Sequence, residues 1–87
     1  MGLYVPRPII AFKANTDTIP DIEKMTGYKY RYTKFEHYVA TYIFHTSDNP
    51  GYSVFKVPEN SYVARIGREV RVFSEQDFNL LYEPVNK

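Results

Sequence analysis

The sequence holds two histidines, His37 and His45, and no cysteine. Thiolate nucleophiles, thiolate metal sites and disulfide staples are therefore excluded. His45-Thr46-Ser47-Asp48 brings together the three residue types of a hydrolytic triad. Triads are assembled from distant segments, however, and Ser47 lacks the flanking glycines of a nucleophile elbow. The run reads instead as a strand end entering a turn. Glu36 and His37 form the nearest metal-ligating pair, but neighbours in a strand point to opposite faces. The acidic residues are scattered through caps and turns, which leaves no paired carboxylates for acid–base work. The four glycines lie too far apart to cradle a phosphate. The sequence predicts no catalytic residue, no metal site and no cofactor.

What remains is basic and aromatic side chains in alternation. One segment places Lys29, Arg31 and Lys34 among Tyr28, Tyr30, Tyr32 and Phe35. Another sets Arg65, Arg68 and Arg71 around Gly67. Such segments occur in ordinary strands with a buried tyrosine face and a solvated basic face. They also stack on bases and track phosphates, or anchor protein interfaces, where Tyr and Arg are favoured. Nine tyrosines are more than a core this small can bury with every hydroxyl satisfied. The candidate binding residues are Tyr30, Arg31, Tyr32 and Lys34, with Arg68 added from the second segment.

The elements that must position these residues follow from periodicity and punctuation. Residues 8–14 read as a strand with Ile10 and Phe12 on one face and Ile9 and Ala11 on the other. Ile19, Ile22 and Met25 recur every third residue and predict a helix over 19–26. Thr18 is its expected N-cap, with Asp21 three residues on, and Gly27 its expected stop. In 28–33, Tyr28, Tyr30 and Tyr32 alternate with Lys29, Arg31 and Thr33, a period of two that predicts one tyrosine face. Residues 38–45 are apolar on both faces and read as a central strand. Asp48-Asn49-Pro50-Gly51 predicts a turn into a strand over 52–57, forming a hairpin. Residues 62–66 and 70–73 flank Gly67-Arg68 as a second hairpin. Ser74 is placed to cap a helix over 75–81, with Phe73 and Phe78 as a hydrophobic staple. Pro84 stops its continuation, and 82–85 reads as a final extended segment. The expected fold is α+β: a single small domain over 1–87, a mostly antiparallel sheet of five to six strands with two short helices.

An 87-residue chain buries only roughly 60–65% of the surface it exposes unfolded, so most large apolar side chains are committed to the core. The net charge of +1 does not favour a dedicated nucleic-acid binder. No apolar run approaches the ~20 residues of a membrane span, and residues 1–7 lack the apolar stretch of a signal peptide. A cytoplasmic protein is expected.

Arg7-Pro8-Ile9-Ile10-Ala11-Phe12-Lys13, the helix after it, Ile43-Phe44-His45-Thr46, and Ser74-Glu75-Gln76-Asp77-Phe78 ending in Tyr82-Glu83-Pro84-Val85 run in an order that resembles a family. It is a family of small phage-encoded proteins of uncharacterised role, marked by a Pro-Gly-Asp-Tyr-Ile motif near the C-terminal third. Val57-Pro58-Glu59-Asn60-Ser61-Tyr62-Val63 stands at the motif's place, with Glu-Asn-Ser where the family has Gly-Asp, so the turn is longer and lacks its glycine. The resemblance implies a non-enzymatic accessory protein that binds a host protein in the host cytoplasm and modulates it, chiefly by inhibition. Host transcription, replication, metabolism and antiviral defence are the implied targets. A nucleic-acid or signalling-nucleotide binder and a minor virion component are the alternatives. Monomer and homodimer both fit, since exposed strand edges invite pairing.

Overall fold

The computed structural model describes residues 2–5, 7–46 and 54–85. The chain order is β1 (Ile10–Lys13), α1 (Ile19–Thr26), β2 (Lys29–Glu36), β3 (Val39–His45), β4 (Val54–Pro58), β5 (Tyr62–Ile66), β6 (Glu69–Phe73) and α2 (Glu75–Leu81). The α+β class holds, and every strand pair is antiparallel. The strands form two three-stranded sheets, β1-β5-β6 and β2-β3-β4, in place of one continuous sheet. The predicted turn at 48–51 and the start of the strand expected over 52–57 lie outside the described residues.

The division into two sheets is made at the β4–β5 turn. Glu59 N–H donates to Ala40 O at 2.7 Å, on β3, while Asn60 N–H donates to Ala14 O at 2.9 Å, just beyond β1. Two consecutive amides thus bond to different sheets, and the chain is handed from one to the other. Asn60 takes a φ of 71°, a left-handed conformation that asparagine tolerates better than most residues.

Both sheets share one core. Val63 of β5 meets Tyr42 and Phe44 of β3 and Val57 of β4, with Ile22 of α1 and Ala14 completing the fully buried set. Tyr30, Phe55, Phe12 and Val70 pack against it. β5 is buried on both faces, because Val63 and Ala64 are each fully covered. The second face carries a smaller aromatic cluster. Tyr62 stacks on Phe78 with centroids 4.1 Å apart, and Phe73 and Tyr82 close around Phe78 at 5.8 and 5.0 Å.

The helices form where expected, but one starts differently. Gly27, at φ 80°, ends α1 and donates to Glu23 O at 2.8 Å. Thr18 makes no side-chain cap because its backbone is already helical, at φ −96° and ψ −3°. Its hydroxyl turns back, donating to Lys13 O at 2.7 Å and accepting from Asn15 N–H at 3.0 Å. Asn15 Oδ1 accepts from the amides of Asp17 and Thr18, so the asparagine sets the turn that the threonine was expected to set. At α2 the expected cap is present: Ser74 Oγ accepts from Asp77 N–H at 3.1 Å.

Candidate functional site

The candidate residues on β2 are governed by a register break. Tyr30 pairs with Phe44 and Tyr32 with Ile43, so Arg31 has no partner of its own in the ladder. One extra residue in one strand is a β-bulge, and it inverts the alternation beyond it. The tyrosine face expected from period two is therefore broken at Arg31.

Tyr30 faces the core, with its ring edge-on to Phe44 at 5.8 Å and to Tyr42 at 6.5 Å. Its hydroxyl lies 2.6 Å from the Thr33 hydroxyl in a solvent-exposed pair at the margin of the core. Its amide points to the free edge of β2 and donates to Glu23 Oε2 at 2.9 Å. That carboxylate from α1 caps an edge that would otherwise invite strand pairing.

Tyr32 and Lys34 fall on the opposite, outer face, in register with Ile43 and Thr41, and Lys56 of β4 pairs with Ile43 from the other side. Tyr32 is 51% exposed while Ile43 beside it is 1% exposed. Arg31 lies toward the same face, its Nε donating to His45 Nδ1 at 3.1 Å. Lys34 and Lys56 converge on Glu36, at 3.0 and 3.3 Å. The Lys34 hydrogen bond, and after it that from Lys56, holds the Glu36 carboxyl below its usual range. The outer face thus joins Arg31, Tyr32 and Lys34 to Lys29, a member of the same basic-aromatic segment, and to Lys56, which the sequence reading left out. Lys56 was hidden because strand pairing, not sequence proximity, brings it there.

Arg68 belongs elsewhere. It sits in the two-residue turn between β5 and β6, after Gly67 at φ 64°, in the other sheet. It shares no strand with Arg31, Tyr32 and Lys34.

The β2–β3 hairpin carries a feature the sequence concealed. Its turn residues are His37 and Tyr38, at φ 53° and 65°. Two positive φ values make the turn favoured in tight hairpins, normally built from Asn and Gly. Tyr38 was expected to open β3, but it stands at the hairpin tip with its ring wholly in solvent, and Phe35 beside the turn is also exposed.

Among the described residues no three His, Asp or Glu side chains gather into a set that could hold a metal ion. His45 Nδ1 accepts from Arg31 Nε, and Ser47 and Asp48 of the His45-to-Asp48 run lie outside the described residues. No helix among the described residues is long and apolar enough to cross a membrane. An open cleft of about 290 Å³ lies on the second face of β1-β5-β6, between Pro8, Ile9 and Ala11 on one side and Phe78, Tyr82 and Val85 on the other. No family model, curated protein or solved structure matches the chain.

Proposed function

We propose that the chain is a non-enzymatic phage accessory protein that binds a host protein in the host cytoplasm and modulates it, chiefly by inhibition. Its contact surface is the outer face of β2-β3-β4. One observation carries the binding surface: Arg31, Tyr32, Lys34, Lys29 and Lys56 share that face, where Glu36 is the only acidic side chain among the described residues. Tyr and Arg are the side chains that contribute most to protein interfaces, and the surrounding lysines select a partner with an acidic rim. The phage origin and the host target rest on the family resemblance.

The test is capture from host lysate with the tagged chain, followed by reconstitution with the purified captured protein. The double variant Arg31→Glu/Lys34→Glu should lose that protein, while Arg68→Glu should keep it. Capture unaffected by the double variant would refute the assigned face. Competition by short single-stranded RNA or DNA, with steep loss of affinity in salt, would point to a nucleic-acid ligand instead.

A further inference from the structure

The two sheets end in four edge strands, and three of these edges carry a block. On β2 the bulge at Arg31 interrupts the ladder, and Glu23 Oε2 takes the Tyr30 amide at 2.9 Å. On β1 the Thr18 hydroxyl donates to Lys13 O at 2.7 Å. On β4 Pro58 has no N–H to offer, and its carbonyl accepts from Ser61 N–H at 3.1 Å. Bulges, caps and prolines are ordinary means of keeping a sheet edge from pairing with another chain. β6 has no proline and no register break, and among the described residues nothing is bonded to its free edge. We infer that β6 pairs with β6 of a second copy of the chain, antiparallel about a two-fold axis, joining two three-stranded sheets into one of six strands.

The ladder fixes which groups β6 can offer. The β5–β6 turn has two residues, Gly67 and Arg68, so Ile66 and Glu69 close it as a hydrogen-bonded pair. Such pairs alternate along an antiparallel ladder, so Glu69, Arg71 and Phe73 turn their backbone groups toward β5. Val70 and Val72 turn theirs to the free edge. An identical antiparallel strand must match outward residues with outward residues. Val70 opposite Val70 of the second copy meets that condition, and the two exchange both N–H···O bonds on the axis.

Charge selects the occupant and the register. With Val70 on the axis, Glu69 stands opposite Arg71 of the second copy, and Arg71 opposite its Glu69. These are non-hydrogen-bonded positions, where facing side chains come closest. The next register along the strand would set Arg71 against Arg71, a like-charge pair. Both side chains are exposed and already meet within one strand, Arg71 Nη2 lying 3.0 Å from Glu69 Oε2. The dimer extends that pair into a four-charge cluster of alternating sign. Opposite charges two residues apart thus make β6 complementary to itself, as a two-fold interface requires. A single strand pair is a small interface, so association is expected at the weak end of specific contacts. β6 lies outside the sheet that carries Arg31, Tyr32 and Lys34, so this inference and the proposed binding face stand or fall separately.

Sedimentation velocity over a concentration series tests the inference on the full chain. The wild-type protein should pass from monomer to dimer with rising concentration, and the Val70 amide should gain protection from hydrogen exchange as it does so. Arg71→Glu sets carboxylate against carboxylate at both cross-strand positions and should raise the dissociation constant by about tenfold. The exchange Glu69→Arg/Arg71→Glu restores opposite signs and should return association to the wild-type level. Both side chains are exposed in the monomer, so circular dichroism should show the fold unchanged in each variant. A wild-type chain that stays monomeric at its highest soluble concentration would overturn the inference. So would a dimer that Arg71→Glu leaves at wild-type strength, or one that the double exchange fails to recover.

Discussion

Tyr30 faces Phe44 across the β2–β3 ladder and Tyr32 faces Ile43, so two tyrosines two residues apart lie on opposite faces of one sheet. The bulge at Arg31 is the cause. It assigns the two side chains different work, one filling the shared core and the other covering Ile43 on a basic outer surface.

That assignment predicts a clean separation of effects. Tyr30→Ala removes a half-buried ring held among Tyr42, Phe44 and Thr33, and should cost about 2–4 kcal/mol of stability in urea unfolding. Tyr32→Ala should stay within about 1 kcal/mol of wild type yet weaken partner binding. Equal stability losses in the two variants would contradict the bulge.

The β2–β3 turn should be improvable. His37 and Tyr38 hold left-handed backbone that costs an ordinary L-residue about 1–2 kcal/mol relative to glycine. His37→Asn/Tyr38→Gly should therefore raise the urea midpoint by the equivalent of about 1 kcal/mol, with unchanged m-value. A midpoint equal to or below wild type would show that the exposed ring contributes contacts outweighing its backbone strain. Strain kept at an exposed aromatic tip is a pattern of functional sites, so partner binding by the same variant is worth measuring beside its stability.

α2 is tied down by its cap and by one ring. Ser74→Ala removes the bond to Asp77 N–H and should cost about 1 kcal/mol. Phe78→Ala empties the centre of the Tyr62, Phe73 and Tyr82 cluster and should cost about 2–4 kcal/mol. This cluster is separated from the main core by β5, so hydrogen exchange should accelerate first in α2 amides and leave those of β3 protected. Uniform acceleration through both would show that the two clusters unfold as one.

The parts of the fold readable in sequence are those set by local chemistry. Gly27 at a left-handed stop, the Ser74 cap, the Phe73–Phe78 staple and the Gly67-Arg68 turn each follow from a side chain and its near neighbours. The doubly apolar pattern of β3 marked it as central, and it lies between β2 and β4. Three features had no local signal. The bulge leaves Arg31 looking like any alternating strand residue. The His37-Tyr38 turn lacks the glycine or asparagine that would announce it. The split into two sheets depends on hydrogen bonds from Glu59 to Ala40 and from Asn60 to Ala14, between residues far apart in the chain. The candidate site inherited these gaps: Arg31, Tyr32 and Lys34 share a face, Tyr30 turns inward, Arg68 lies in the other sheet, and Lys56 enters only through pairing with β3.

Stability should fall at both ends of the pH scale for identifiable reasons. Burial, and after it the charge of Glu59, raises the Tyr42 hydroxyl above its ordinary value of 10.0. The unfolded chain then releases this proton at a lower pH than the folded one. The folded state binds more protons, so stability declines as pH rises past about 10. Lys13 acts in the same direction: its bond to Glu75 raises it above 10.5, and that contribution disappears as pH climbs through the raised value. On the acid side, Lys34 and then Lys56 lower Glu36 from 4.5, so its contribution is present above the unfolded carboxyl value and lost as pH falls through the lowered one. Melting temperature against pH is the measurement. Tyr42→Phe should flatten the alkaline limb and Glu36→Gln the acid limb, each leaving the other unchanged. A Tyr42→Phe variant with the full wild-type alkaline decline would remove the buried hydroxyl as its source and leave the Lys13–Glu75 pair to account for it.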